Sequence, residues 1–155
     1  MHVAEIMTKD VFAFSPDTRL ETAARLLTTR GISGAPVVSA DGRPLGVVAL
    51  TDLVDPDRSH STREGYPLFY LVGPTSTKAV GQVIEVGQVI EVGEGCVADV
   101  MSPFVLSLDS YAPVTEAACR MVDEGVHRLL VMDQQKLVGI VSSLDVLRGM
   151  VRQGG

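Results

Sequence analysis

The sequence predicts an α/β (α+β) chain made of two β-α-β-β-α units packed sheet to sheet, and three observations lead there. The first is a duplication. Leu45-Gly46-Val47-Val48-Ala49-Leu50-Thr51-Asp52-Leu53 is matched by Val138-Gly139-Ile140-Val141-Ser142-Ser143-Leu144-Asp145-Val146, so Asp52 and Asp145 hold the same place in two copies. Earlier positions match too: Ile6-Met7-Thr8 with Val100-Met101-Ser102, Glu21-Thr22-Ala23-Ala24 with Thr115-Glu116-Ala117-Ala118, and Arg30-Gly31-Ile32 with Glu124-Gly125-Val126. The second is that each copy sets helical runs among short runs of β-formers separated by turn signals. The third is that these strands read as buried on both faces or nearly so. One unit cannot bury them alone, so the two copies are expected to cover each other's sheets.

In the first copy, Val11–Ser15 alternates loosely and reads as a short strand. Thr18-Arg19-Leu20-Glu21 has the form of a capping box, with Thr18 as N-cap and Glu21 reaching back. Leu20, Ala23, Ala24, Leu26 and Leu27 make one apolar helical face, and Gly31 supplies the left-handed residue that ends the helix. Ala35–Val38 is a short buried strand, Asp41-Gly42 a hairpin turn and Leu45–Leu50 the returning strand. A helix follows from Thr51 and stops near Pro56. The second copy repeats this order. Strand Val105–Leu108 precedes a helix from Pro113, a favoured first helical residue, with Val114, Ala117, Ala118, Met121 and Val122 on its apolar face and Gly125 at its end. Strand Leu129–Met132, a turn at Asp133–Lys136, strand Leu137–Val141 and helix Ser143–Val151 complete it.

Between the copies, Asp55–Glu64 is polar and reads as loop, whereas Tyr66–Val72 is apolar enough to be ordered. Gly81–Val86 (GQVIEV) is repeated at once as Gly87–Val92, and its alternation fits either a small hairpin or a mobile loop. No chemistry is evident in this segment. The expected organisation is a first repeat over 1–54, an insert over 55–96 and a second repeat over 97–155.

Composition narrows the function. The 155 residues are 46% hydrophobic with no Trp, enough for a sizeable aliphatic core without disulfide or metal staples. A net charge of −6 argues against general binding of nucleic acid or anionic membranes. Cys96 and Cys119 follow no metal-ligand spacing and read as free thiols of a reducing compartment. Met1–Thr8 lacks the basic start and apolar run of a signal peptide, and no window approaches the ~20 apolar residues of a membrane span. A cytoplasmic protein is expected. It is not expected to be an enzyme: the sequence carries no Gly-rich phosphate loop with Lys, no nucleophile elbow, no HExxH and no paired-Cys metal site. His2, His60 and His127 are scattered, and His2 and His60 are expected in solvent.

Taken in order, the opening Met-Thr/Ser, the Pro/Asp before the first helix, the Gly-Ile/Val at its end and the closing Gly-h-h-x-x-x-Asp (h, apolar) resemble the CBS motif. They occur twice, over Val3–Leu53 and Val97–Met150, so the pair resembles a CBS tandem, or Bateman module. The segment between them is longer than the linker common in that family. The resemblance implies a pseudo-twofold disc with two clefts between the repeats, a regulatory ligand containing adenosine (AMP, ADP, ATP or S-adenosylmethionine), a homodimer and a regulated partner that the sequence does not identify.

It also implies site residues. Asp145 would accept hydrogen bonds from ribose hydroxyls, and Ser142, three residues earlier, would contact phosphate. A carboxylate can accept from both ribose hydroxyls, and a helix start offers free N–H groups to an anion. Ser-x-x-Asp at a helix start is equally a capping arrangement, worth about 0.5–2 kcal/mol. Val126-His127-Arg128-Leu129 resembles the fourth CBS repeat of the AMP-activated kinase regulatory subunit, which implies that His127 and Arg128 reach nucleotide phosphates. The alternative is a solvated polar pair before a buried strand. Repeat 1 departs from this pattern. Asp52 is kept, but Ala49 replaces Ser142 and Ser33-Gly34 replaces His127-Arg128. Thr51 is a nearby hydroxyl, one residue before Asp52 and so facing elsewhere on a helix. Val105 and Leu129 in repeat 2, and Val11 and Ala35 in repeat 1, are candidate adenine contacts that also suit the core. One dominant site, formed mainly by repeat 2, is expected. The competing readings are a dimerisation and interaction scaffold that binds no nucleotide, and an S-adenosylmethionine sensor that uses Asp145 but not Arg128.

Overall fold

The computed structural model of the protein describes residues 1–54, 66–71 and 93–154. Two compact units emerge, and they do not follow the order of the sequence. Residues 12–54, 66–69 and 93–105 form a unit around the first repeat; residues 1–11, 70–71 and 106–154 form a unit around the second.

The first-repeat unit holds α1 (Leu20–Arg30), strands β1 (Gly34–Val38) and β2 (Pro44–Ala49), and helix α2 (Leu50–Val54). After the insert's short α3 (Leu68–Leu71) comes α4 (Val97–Val100), which belongs to the same unit. β1 and β2 form an antiparallel hairpin in which Gly34 faces Ala49. Leu20, Ala23, Ala24 and Leu27 from α1 pack with Val37, Val48, Leu53 and Val97 in one aliphatic core. Gly31 ends α1 in the left-handed conformation, at φ 66°, as the sequence predicts.

Two local expectations fail here. The N-cap is Arg19, not Thr18, and no side chain caps α1. The end of the insert supplies the missing acceptor: the Leu20 N–H donates to the Gly95 carbonyl at 3.1 Å, and just beyond it Val97 N donates to the Thr18 carbonyl at 2.8 Å. A tertiary backbone partner thus replaces the side-chain cap. Nor is Val11–Ser15 a strand. Only Phe14 pairs, as a parallel bridge to Val37. The neighbouring position of β1 is Pro36, which has no N–H to donate. Its counterpart Leu130 does donate, to the Leu106 carbonyl at 3.0 Å, and there the ladder forms.

The second-repeat unit shows the full order: β3 (Ser107–Asp109), α5 (Val114–Glu124), β4 (Arg128–Asp133), β5 (Lys136–Ser142) and α6 (Ser143–Arg152). β4 is central, parallel to β3 and antiparallel to β5. The first strand starts at Ser107 rather than Val105, which lies exposed before it. Pro113 is the N-cap of α5 and not its first residue; the Val114 N–H finds the Met1 carbonyl at 3.0 Å. The apolar face of α5 is narrower than expected. Val114, Ala117 and Met121 are buried, whereas Val122 is 80% exposed. One residue on from Met121 is about 100° round the helix, outside the buried stripe.

The opening motif of each repeat is exchanged. Thr8 bridges to Ile140 on β5, with hydrogen bonds of 2.9 and 3.0 Å, inside the second-repeat unit. Ser102 bridges to Val47 on β2, with two bonds of 2.9 Å, inside the first-repeat unit. Both receiving strands carry a glycine where the incoming segment lies. A Cβ on Gly46 would strike the Ser102 carbonyl, and one on Gly139 would strike the side chain of Met7. The glycine of the repeated motif is therefore a close-approach position.

Of the insert, α3 realises the order expected within Tyr66–Val72. Asp55–Glu64 and the duplicated Gly81–Val92 lie outside the described residues, as does His60. His2 is exposed, as expected. Among the described residues no helix is long and apolar enough to cross a membrane.

Candidate ligand-binding site

The second-repeat unit brings five polar residues to one edge, where β4 begins and β5 passes into α6. The register pairs Arg128 directly with Ser142. The Ser143 N–H donates to the His127 carbonyl at 2.9 Å, and His127 Nδ1 lies 3.3 Å from Ser143 Oγ. Ser142 is the N-cap of α6: its Oγ accepts from Asp145 N at 3.2 Å, and Asp145 Oδ2 accepts from Ser142 N at 2.9 Å. This is a reciprocal capping box. The capping reading of Ser142 and Asp145 is thus realised.

Capping leaves chemistry over. Asp145 Oδ1 is not used by the cap and faces Arg148 Nη1 at 3.8 Å, across one helical turn. Arg148 is 64% exposed while the Asp145 side chain is only 13% exposed. The pair is long and wet on the arginine side, so it holds Asp145 weakly. Arg128 is half-buried, and desolvation lowers its guanidinium pKa from the usual value, though an arginine stays charged at neutral pH. The edge therefore sets an anionic acceptor, two hydroxyls, an imidazole and a cation around the start of a ten-residue helix.

The first repeat builds the same backbone without the side chains. Asp52 Oδ2 accepts from Ala49 N at 2.8 Å, and Leu50 N donates to the Ser33 carbonyl at 2.8 Å. Each bond has its equivalent in the second repeat. Ala49 offers no hydroxyl, Asp52 is only 7% exposed, and Thr51 is exposed and outside this arrangement. Gly34 stands where Arg128 stands. A Cβ there would lie 2.6 Å from the Val48 carbonyl and 3.3 Å from the ring of Phe69, so no side chain fits.

The apolar candidates are placed less favourably. Leu129 is fully buried and Ala35 is 1% exposed, so both are core. Val105 is exposed and belongs to the first-repeat unit; Val11 is half-buried and belongs to the second-repeat unit. Three residues of the edge had no role in the sequence reading: Ser143, Arg148 and Tyr70. Ser143 was adjacent to the capping pair, and Arg148 sits at helical spacing from Asp145. Tyr70, behind the edge, accepts from His127 N through its carbonyl at 2.8 Å and from Leu106 N through its hydroxyl at 3.0 Å; it carried no local signal, because these partners are distant in sequence.

The CBS domain model matches residues 3–56 and 97–152. The chain belongs to the CBS domain family. Among curated CBS relatives, it is 30% identical to the chloroplastic CBS domain-containing protein CBSX1 of Arabidopsis thaliana over 97% of this chain and 64% of that one. An uncharacterized protein of Methanopyrus kandleri is 28% identical over 94% of this chain and 61% of its own. The chain thus spans less than two thirds of the length of these two relatives. Among solved structures, CBSX2 in complex with AMP superposes with a TM-score of 0.68 at 23% identity, covering 99% of this chain and 98% of that one. The CBS domain pair of protein MJ0100, in complex with 5′-methylthioadenosine and S-adenosyl-L-methionine, gives a TM-score of 0.61 at 19% identity, covering 99% and 98%. The expected CBS resemblance and α/β class are borne out, and the chain is a CBS pair of the kind that serves as a regulatory module.

Proposed function

We propose that the second CBS repeat binds an adenosine-containing nucleotide (AMP, ADP or ATP) and that occupancy changes the surface shown to a regulated partner. The observation that carries this is that His127, Ser143 and Asp145 meet at the start of α6, with Arg128 opposite Ser142 in the strand register. Asp145 Oδ1 would accept from ribose hydroxyls, exchanging its long contact with Arg148 for shorter ones. Arg128 and His127 supply donors for phosphate, at the positive end of the α6 dipole. CBSX2 with AMP and MJ0100 with two sulfonium or thioether nucleosides support the adenosine part. The cation and imidazole favour a phosphate over the sulfonium. The ligand acts by population shift, stiffening the strand-to-helix edge it bridges.

One site dominates in this reading, because Gly34 and Ala49 leave repeat 1 without hydroxyl or cation. The reading includes self-association. α6 exposes Leu144, Leu147, Met150 and Val151, and α5 exposes Val122, an apolar surface that a second copy of the chain would cover. The test is calorimetric titration with AMP, ADP, ATP and S-adenosylmethionine. Nucleotide binding that Arg128→Ala weakens supports the proposal. Binding of S-adenosylmethionine alone, indifferent to Arg128→Ala, replaces it with the sulfonium reading. No heat with any of the four leaves the scaffold reading.

A further inference from the structure

Tyr70 lies in the insert, outside both segments matched by the CBS model, and it is fully buried in the second-repeat unit. Its hydroxyl accepts from Leu106 N at 3.0 Å, and its carbonyl accepts from His127 N at 2.8 Å. These bonds continue. The Leu106 carbonyl takes the N–H of Leu130 on β4 at 3.0 Å, and the His127 carbonyl takes the N–H of Ser143 on α6 at 2.9 Å. The backbone of His127 is thus held on one side by the insert and on the other by the start of α6. A buried phenol with these partners does more than fill space: its oxygen satisfies an amide that would otherwise be buried without an acceptor from this side chain.

We infer that Tyr70 is a positioning residue of the nucleotide site, fixing the His127 turn and the Leu106 segment from outside both repeats. The inference rests on the nucleotide reading of that site. It makes helix α3 part of the ligand-responsive structure. Order at Tyr70 is then coupled to order at His127 through its carbonyl and to the Leu106 segment beside β4 through its hydroxyl, and a ligand that stiffens His127 also stiffens Tyr70.

The test uses the full chain with Tyr70→Phe, which keeps the ring and the carbonyl bond and removes only the hydroxyl. AMP affinity is measured by calorimetry, and amide hydrogen exchange is followed at Leu106 and His127 with and without AMP. We expect AMP to slow exchange at both amides in the wild type. We expect Tyr70→Phe to speed it and to weaken AMP binding by about 5- to 10-fold, the loss of one properly satisfied amide seen through the site. Val37→Ala, in the core of the first-repeat unit, serves as the control that lowers stability without changing affinity. If Tyr70→Phe behaves like that control, with lower Tm and wild-type AMP affinity, Tyr70 is merely structural and the inference is overturned. If Tyr70→Phe does not fold, the wild-type exchange decides: bound AMP that leaves Leu106 and His127 unchanged overturns it as well. If the wild type binds no AMP, the nucleotide reading fails and the role of Tyr70 falls with it.

Discussion

Replacing Asp145 with Ala separates the two roles that its two oxygens carry. Oδ2 closes the capping box on Ser142 N at 2.9 Å, and Oδ1 is the acceptor available to a ligand. Without ligand, Asp145→Ala loses the cap, and the expected cost is about 1 kcal/mol of stability. For a chain of 155 residues that is a drop in Tm of roughly 2–4 °C. With ligand, a ribose loses two hydrogen bonds to a charged acceptor, each worth about 1.5–3 kcal/mol. The dissociation constant should rise by at least ~100-fold. The assay is thermal unfolding with and without AMP, paired with calorimetry. Ligand at ~100 times the wild-type dissociation constant adds about 2.7 kcal/mol to the wild type, or roughly 5–10 °C. At the same concentration the variant should show a shift below about 2 °C. Asp145→Asn sharpens the result: its side-chain oxygen can still accept from Ser142 N, so apo stability recovers while affinity stays low. An Asp145→Ala protein that loses the cap stability yet binds AMP with wild-type affinity would refute the reasoning, because the carboxylate would then be a cap and nothing more.

Three further outcomes follow from the same structure. Gly34→Arg, offered as a transplant of the Arg128 cation, should fail: its Cβ meets the Val48 carbonyl at 2.6 Å, so the variant should lose about 1–3 kcal/mol in a denaturant melt and gain no second nucleotide equivalent in titration. Leu147→Glu with Val151→Glu changes residues that are 56% and 77% exposed, so Tm should move little while light scattering shows a lower oligomeric state if α6 forms a self-association face. The third concerns pH. Burial pushes the Tyr70 phenol up to about 12, above its ordinary value near 10. The neutral form is the one the fold holds, so this stabilisation is complete below about pH 10 and is lost as pH rises toward 12. It amounts to about 3 kcal/mol at most, and Tyr70→Phe should flatten the stability-versus-pH curve in that window.

The duplication made most of the fold legible. Hydrophobic period, the two helix-ending glycines and the Asp-Gly turn are local signals, and local signals survive in a single sequence. The misplaced features share a cause. Thr18 looked like a cap because Ser/Thr three residues before Glu usually is one, but the Gly95 carbonyl took the Leu20 N–H instead. The strand at Val11–Ser15 looked sound by propensity and was undone by Pro36, which belongs to its partner. The exchange of Thr8 and Ser102 likewise depends on partners far off in sequence, Ile140 and Val47. Gly46 and Gly139 were visible as a motif, but their close approach to those segments was not. At the site, Ser142, Asp145, His127 and Arg128 were nameable from motif spacing. Tyr70 was not, since nothing near it in sequence marks a contact with Leu106 and His127.

The two repeats show how one backbone can keep its hydrogen bonds while its chemistry diverges. The Asp-to-backbone bond and the helix-start-to-turn bond are the same in both, at 2.8 and 2.8 Å in the first and 2.9 and 2.9 Å in the second. These bonds support the strand-to-helix junction, so the aspartate has a structural use in each repeat whether or not a ligand binds there. The positions around it differ between the repeats. In the first repeat Gly34 stands at the Arg128 position, and the Phe69 ring lies 3.3 Å from where a Cβ would be. In the second repeat the polar set is present, and Tyr70, the next residue of the same insert, binds the backbone of the His127 turn. The insert thus carries one residue that fills the first site's position and one that supports the second. A shared aspartate is on this argument poor evidence for a ligand in any repeat of this kind. The side chains flanking it, and whether the chain's own aromatic residues already occupy their space, are what decide.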